Sequence, residues 1–185
     1  MNTPTCEAPF ATARLLLTPL DDGDLEAIFR LYASEEVSRG FGQDRLCDIA
    51  QARYWLDVQR WSRSCGSGAS WCLRLKDDGE VIGSIGFDCI NRLWHNAAIS
   101  YALLPSCWGR GLMSEALGGL AAQAFAGALG CPIHRIEALV LPGNPRSVRV
   151  LDKNGFQPEG RRRGLVYWQG GYRDVDSFAL LNPAS

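Results

Sequence analysis

The sequence predicts one mixed α/β (α+β) domain, a mostly antiparallel sheet of six or seven strands with helices on both faces. Three observations predict it. Three β-like runs follow one another between Trp71 and Leu104, the first two joined by KDDGE, an Asp-Gly turn suited to positive φ. Apolar residues elsewhere recur at i, i+3, i+4 and i+7, first at Leu25, Ile28, Phe29 and Tyr32. Finally, a helical stripe separates the third run from the buried run HRIEALVL (134–141), the order of a βαβ crossover.

In chain order, residues 1–11 read as a loose tail. ARLLLTPL (13–20) is a short strand ended by Pro19, and Asp21 and Asp22 offer N-caps for the helix that follows. Glycines in SRGFGQDR (38–45) break that pattern. Asp48 caps a second helix running to Trp61, with Ile49, Ala52, Trp55 and Leu56 on its inner side. CGSGAS (65–70) is a loop. Trp71, Leu73 and Leu75 alternate with polar or small residues as a strand; EVIGSIGFDCI (80–90) returns, and NAAISYALL (96–104) completes the meander. Met113, Leu117, Leu120, Ala121, Ala124 and Ala128 form the stripe of the crossover helix. Gly118 and Gly119 within it cost roughly 1 kcal/mol each relative to alanine, which fits close packing against the sheet. Gly130, Cys131 and Pro132 stop it. PGNP (142–145) is a loop and RSVRVLDKN (146–154) a short helix closed by Gly155. Phe156 opens a strand, RRRGLVYWQGGYRD (161–174) reads as a hairpin with a long tip, and DSFALL (176–181) as the last strand.

The 185 residues carry 19 Lys and Arg against 20 Asp and Glu. No global field exists to hold nucleic acid or an anionic membrane, so partners must be recognised locally. A chain of this length buries roughly 70% of the surface it exposes unfolded and needs no staples. Seven cysteines without a C-x-x-C, and two isolated histidines, give no support to a zinc ribbon, a dithiol redox motif or a metal cluster. The start, MNTPTCEAPF, lacks the basic and apolar regions of a signal peptide. No apolar run reaches the ~20 residues of a membrane span. The expectation is a soluble, cytoplasmic protein without a metal.

PSCWGRGLMSEAL (105–117) sets two glycines around Arg110 directly before a helix. A helix start carries unpaired N–H groups and partial positive charge, and glycine lets an anion approach. The stretch is either a turn or a seat for a phosphate. No G-K-S/T follows and no G-x-G-x-x-G follows the first strand, so neither a P-loop nor a dinucleotide site is indicated. Its placement says more. It follows a meander strand, and the next, parallel strand arrives through the helix; two strands diverging there would leave a cleft for an extended ligand.

RLLLTPLDDGDLEAIFRLY, GEVIGSIGF, WGRGLMSEAL, HRIEALVLPGNPRSVRVLDKNGFQPEG and YRDVDSFALL occur in this order and span nearly everything from Ala13 to Leu181. With them the chain resembles the GNAT superfamily of acetyl-CoA-dependent N-acetyltransferases, within it the branch that acetylates ribosomal-protein N-termini. The resemblance implies a single GNAT domain over 1–185, acetyl-CoA as cosubstrate and a primary amine as acceptor. It implies that Trp108, Gly109, Arg110, Gly111, Leu112, Met113 and Ser114 form the pyrophosphate loop, gripping through N–H groups of about Gly109 to Met113. The family pattern Q/R-x-x-G-x-G/A has Trp108 at its first place here and Met113 at its last. N-P-R-S (144–147) matches the family's N-x-x-S, which implies Asn144 on the pantetheine arm and Ser147 near the sulfur. On the residues alone, both are ordinary helix-start residues.

Attack of a neutral amine on a thioester needs a proton acceptor, donors for the oxyanion and an acid for the leaving thiolate. Direct transfer needs no covalent enzyme intermediate, so no cysteine is required as nucleophile. Backbone N–H groups near Leu103, at the strand's end, are the expected oxyanion donors. Ser147 and then Tyr101 are candidates to protonate the thiolate. Glu137, on the strand beside the cleft, is a candidate base, or equally a charge paired with Arg135 or Arg149; Asp88 is a further candidate. Relatives carry an acid just before the I-G-Y of the fourth strand, where this chain has Ala98, and Ser100 replaces the glycine. Arg161–Arg163 and the tip VYWQGGYR are one wall of the acceptor site or a solvated hairpin. Trp55, Trp61 and Trp71 are core or groove walls. Three functions are compatible: acetylation of a protein N-terminal amine; acetylation of a small amine, antibiotic or amino acid; and non-catalytic acyl-CoA binding, to which Ala98 gives weight. Nothing in the sequence speaks to oligomeric state.

Overall fold

A computed structural model describes residues 8–184; Met1–Glu7, most of the expected tail and Cys6 with it, lie outside the described residues. The strands are β1 (Phe10–Ala11), β2 (Leu15–Pro19), β3 (Ala69–Leu75), β4 (Val81–Asn91), β5 (Asn96–Leu103), β6 (Arg135–Val140), β7 (Gln157–Trp168) and β8 (Gly171–Leu181). They form one sheet in the order β1-β2-β3-β4-β5-β6-β8-β7. Every neighbouring pair is antiparallel except β5 and β6. The mixed, mostly antiparallel class is as expected. The eighth strand is β1, two residues of the expected tail that pair Phe10 with Leu17 and Ala11 with Leu16.

The helices are α1 (Leu25–Tyr32), α2 (Glu35–Phe41), α3 (Ile49–Ser64), α4 (Leu112–Phe125) and α5 (Pro145–Lys153). Asp21 caps a short 3-10 turn at 22–24 in a capping box with Asp24, and α1 continues from it. The glycines of 38–45 end a helix instead of merely breaking a pattern. Ser34 accepts the Val37 N–H to start α2, Glu35 and Glu36 suit its first turn, and Gly42 closes it at φ 72. In α3, Ala52 and Leu56 are buried as expected, but Ile49 in the first turn is exposed. The crossover helix α4 stops earlier than Gly130, because Gly127 adopts φ 87 and the Ala128 N–H reaches back to the Gln123 carbonyl. Ala128 is therefore exposed and off the stripe. Of the glycine pair of α4, Gly118 gives room to the end of α5 and Gly119 to the β1–β2 edge of the sheet. A Cβ on Gly118 would stand 2.8 Å from Asn154 Oδ1, and one on Gly119 would stand 3.0 Å from Thr12 Cγ2. The expected long tip at 161–174 is also different: β7 and β8 pair from Trp168–Gly171 to Gln157–Ala179, so the segment is one extended two-stranded arm.

Side-chain alternation divides the core. Ala97, Ile99 and Leu103 of β5 join α4 and Leu151 of α5 on one face of the sheet. Ala102 joins Ile28, Leu31, Tyr32, Val37 and Leu56 on the other. Between these layers the sheet has a seam. β5 and β6 pair only at Asn96–Arg135, Ala97–Ile136 and Ala98–Glu137. Beyond Ala98, β5 stays with β4 and β6 stays with β8, and the two parallel strands part. A bulge in β4 between Phe87 and Cys89 lies opposite Ala98, the level at which pairing stops. Bulges bend a strand and increase its twist, which carries β5 away from β6 here.

Candidate active site

The gap between β5 and β6 opens on a cavity of about 720 Å³. Leu104 N–H donates to Ile82 O at 2.8 Å. Alternation along β5 then turns the N–H and C=O of Leu103 away from β4 and towards the gap. The Leu103 carbonyl is taken by Trp108 Nε1 at 2.7 Å, and the Arg146 guanidinium stacks 4.5 Å from the centre of the Trp108 ring. Trp108 therefore clamps the end of β5, the loop and α5 together.

The loop after β5 needs its glycines for conformation: Gly109 and Gly111 have φ 77 and 75. Gly111 is the N-cap of α4 and offers no side-chain cap, so the first-turn N–H groups open on the cavity, which Gly109, Gly111, Leu112, Met113 and Ser114 all line. The side chains of Leu112 and Met113 are buried in the core, so the bulk of Met113 turns away from the loop. Arg110 is exposed, and its carbonyl accepts a bond of 2.9 Å from Arg14 Nη1. Glu115, in the first turn, would oppose an anion there, but it is engaged. Arg14 N–H and Nε each reach it at 2.7 Å and the Thr12 hydroxyl also donates to it. Burial pushes the Glu115 carboxyl up, yet Thr12 and Arg14 together hold it below the usual range.

On the opposite wall, Asn144 Oδ1 accepts the Ser147 N–H at 3.2 Å and caps α5, while Asn144 Nδ2 donates to the Gly40 carbonyl at 3.2 Å. The Tyr101 hydroxyl donates to the Ser147 carbonyl at 3.4 Å. Burial pushes the Tyr101 phenol up to about 12, partly offset by the Ser147 side chain, so it keeps its proton at neutral pH. Tyr101 and Ser147 are thus brought together in the gap. Glu137 is not brought to them. Ile136 and Ala138 face the α4 core with Tyr101, so Glu137 points to the other side of the sheet. There it binds Arg135 Nε at 2.8 Å and Arg162 Nη2 at 3.4 Å, while Arg149 bonds the Pro145 carbonyl instead.

The cavity has two further walls. One is α2, through Glu36, Arg39 and Gly40, which the sequence did not reveal; the other is the end of the β7–β8 arm, through Trp168, Arg173 and Asp174, part of the tip expected as a wall or a solvated hairpin. Arg161 and Arg162 are tied to Asp176 and Glu137, so the arm reaches the cavity near its tip only. The buried indole N–H of Trp168 has no hydrogen-bond partner among the described residues, which leaves a donor for a ligand. Cations outnumber acids on the lining: Arg39, Arg146, Arg149, Lys153 and Arg173 against Glu36 and Asp174. In a chain with a net charge of −1, this local excess suits a polyanion. Arg146, Arg149 and Lys153 lie at i, i+3 and i+7 on α5, a spacing that the sequence already contained. Trp71 is core, Trp55 packs on Tyr32 with ring centres 5.0 Å apart, and Trp61 is exposed. Among the described residues no helix is long and apolar enough to cross a membrane, and no three His, Cys, Asp or Glu gather to hold a metal.

Residues 14–157 match the model of the acetyltransferase (GNAT) domain family. The chain is 33% identical over 172 residues to the uncharacterized N-acetyltransferase YoaA of Bacillus subtilis, covering 93% of this chain and 96% of that one. It is 34% identical over 119 residues to the ribosomal protein uS5-alanine N-acetyltransferase of Escherichia coli, covering 64% of this chain and 60% of that one. Among solved structures, a ribosomal L7/L12 alpha-N-protein acetyltransferase in complex with coenzyme A superposes with a TM-score of 0.84 at 22% identity, covering 96% of this chain and 100% of that one. Spermidine N-acetyltransferase from Vibrio cholerae, in complex with CoA and spermine, superposes with a TM-score of 0.79 at 19% identity, covering 92% and 96%. The likeness to these two structures is one of fold.

Proposed function

The chain belongs to the GNAT acetyltransferase family, and from that premise we propose that it transfers the acetyl group of acetyl-CoA directly to a primary amine of the kind a protein N-terminus presents. One observation carries the reading: an uncapped, glycine-bracketed helix start stands at the mouth of a gap between two parting parallel strands, on one cation-rich cavity. A diphosphate fits the N–H groups at the start of α4, each such anion contact being worth about 0.3–1 kcal/mol. Arg146, Arg149 and Lys153 balance the remaining phosphate charge. The gap then takes the pantetheine arm, which puts the Leu103 N–H beside the thioester oxygen and the Tyr101 and Ser147 hydroxyls beside the sulfur. Leu103 stabilises charge on the oxygen; Ser147 or Tyr101 supplies the proton that the leaving thiolate takes. Asn144 holds the first turn of α5 and the edge of α2 in register around the arm. The relative that acetylates an alanine of ribosomal protein uS5 supports a protein N-terminus as acceptor.

The test is thiol release from acetyl-CoA with peptides beginning Ser, Ala or Met, set beside polyamines and aminoglycosides. Turnover on the peptides alone is the expected result. Turnover confined to small amines would replace the acceptor. Tight CoA binding without turnover on any amine would overturn the transferase reading in favour of a binding module.

A further inference from the structure

We propose that Asp88 is the general base of this site and takes the proton from the acceptor ammonium. The inference rests on the reading that the chain acetylates an amine. Three positions lie side by side across the sheet where β5 and β6 part: the β4 bulge around Asp88, Ala98 on β5, and Glu137 on β6. Asp88 is the inserted residue of the bulge, between Phe87, which pairs with Ile99, and Cys89, which pairs with Ala98. Ala98, half-buried, sets only a methyl group between the two positions. Ile99 faces the α4 core, so its neighbours Ala98 and Ser100 face the opposite side. Asp88 interacts with the Ser100 hydroxyl, which places its carboxyl on that side, across the sheet from Tyr101 and Ser147. A thioester threaded through the gap would therefore meet its proton donor on one face and an acceptor amine with Asp88 on the other.

Glu137 is the obvious rival, but both of its oxygens are occupied, Oε1 by Arg135 and Oε2 by Arg162. Among the described residues no cation is ion-paired to Asp88, and Ser100 is the side chain that favours its charged form. Asp88 is exposed to solvent, and the protein around it partly desolvates its carboxyl. That desolvation pushes its carboxyl above the ordinary value, and Ser100 pulls it only partly back. The groups facing it from the packed elements are the Tyr32 phenol of α1, which burial pushes far up and which bonds Ser84, and the ion-paired Glu137 on β6. Gln59 of α3 is neutral and occupied by Ser70. A carboxylate without a cation and with raised proton affinity suits proton abstraction near neutral pH.

In the step, the ammonium gives a proton to the Asp88 carboxylate and the amine nitrogen bonds to the acetyl carbon. The carbon–sulfur bond breaks, and its electron pair leaves with sulfur, which takes a proton from the Tyr101–Ser147 side. The second proton of the amine passes to water, replacing the one given to sulfur, and Asp88 later returns its proton to solvent.

The experiment compares wild type, Asp88→Asn, Asp88→Glu and Glu137→Gln in acetyl transfer across pH, with CoA affinity by calorimetry. Asp88→Asn is expected to lower kcat by about 10²–10⁴-fold, to leave CoA affinity unchanged and to erase the acidic limb of the kcat/KM profile. Asp88→Glu should restore part of the rate with a displaced limb, while Glu137→Gln keeps the limb. An Asp88→Asn variant within about threefold of an active wild type overturns this assignment alone. So does equal loss of rate and CoA affinity, the mark of general damage. A wild type inactive on every amine overturns the transferase reading with it.

Discussion

In the proposed reaction, Tyr101 and Ser147 are the residues that stand beside the leaving sulfur. The phenol donates to the Ser147 carbonyl at 3.4 Å, near the long limit for a hydrogen bond, so its stabilising role is at the low end of about 0.5–1.5 kcal/mol. Tyr101→Phe should therefore lower stability little. If the phenol supplies the thiolate's proton, the same change lowers kcat by about 10²-fold or more. Ser147→Ala separates the two donors, because the carbonyl that Tyr101 binds is backbone and survives the substitution. A slower kcat in Ser147→Ala with CoA affinity unchanged assigns the proton to the serine hydroxyl. A loss seen only in Tyr101→Phe assigns it to the phenol, and two unaltered rates remove both residues from catalysis. Steady-state kinetics with calorimetric CoA titration reads all of these.

At the scale of the element, the N-terminus of α4 acts as a unit whose cap is defined by what it lacks. Gly111→Asp places a carboxylate over open N–H groups and forces φ 75 on a residue with a Cβ, a strain of about 1 kcal/mol. The new Cβ would stand 3.7 Å from Arg14 Nη2. A carboxylate there would draw Arg14 from Glu115 and free a second negative charge in the same turn. The expected outcome is at least a tenfold loss of CoA affinity, about 1.4 kcal/mol, with helix content by circular dichroism unchanged. Unchanged affinity would count against the loop as the anion seat. This element was legible in the sequence because its signal is local: two glycines, a helix stripe and a preceding strand. The Asn144 and Ser147 wall was legible only through the family resemblance, since on the residues alone both are ordinary helix-start residues. α2 was not, since Gly40 sits inside a seven-residue helix whose stability comes from Ser34, Gly42 and packing on Tyr32, and whose periodicity is too short to register. The arm's extent was hidden as well: β7 and β8 stay paired on either side of irregularities at 158–160 and 162–166, where Gly160 and Gly164 read in the sequence as turn residues. Asp88 stood in the sequence only as a further candidate base behind Glu137, because its setting depends on a bulge and on residues of β5 and β6.

At the scale of the whole molecule, the sheet is two blocks held by a short seam. β4 and β5 share eight register pairs and β6 and β8 share six, while β5 and β6 share three. The blocks β1–β5 and β6–β8 therefore depend on helix packing, chiefly α4 and α5 across the common core, to keep the gap at a fixed width. A ligand that fills the gap replaces the missing ladder with contacts to both blocks, so its binding energy appears as cohesion of the sheet. At a hundred times its Kd, coenzyme A should add about 2.7 kcal/mol, which for a chain of this length raises Tm by about 5–10 °C. Hydrogen exchange locates the effect. Amides of 99–104 on β5 and 138–144 after the last β6 pair should gain the most protection, together with the first turn of α4. Amides of β2 and β3, already paired on both sides, should change little. Protection gained evenly over the sheet, or at β2 and β3 first, would place the ligand elsewhere and leave the seam as a packing defect with no part in binding.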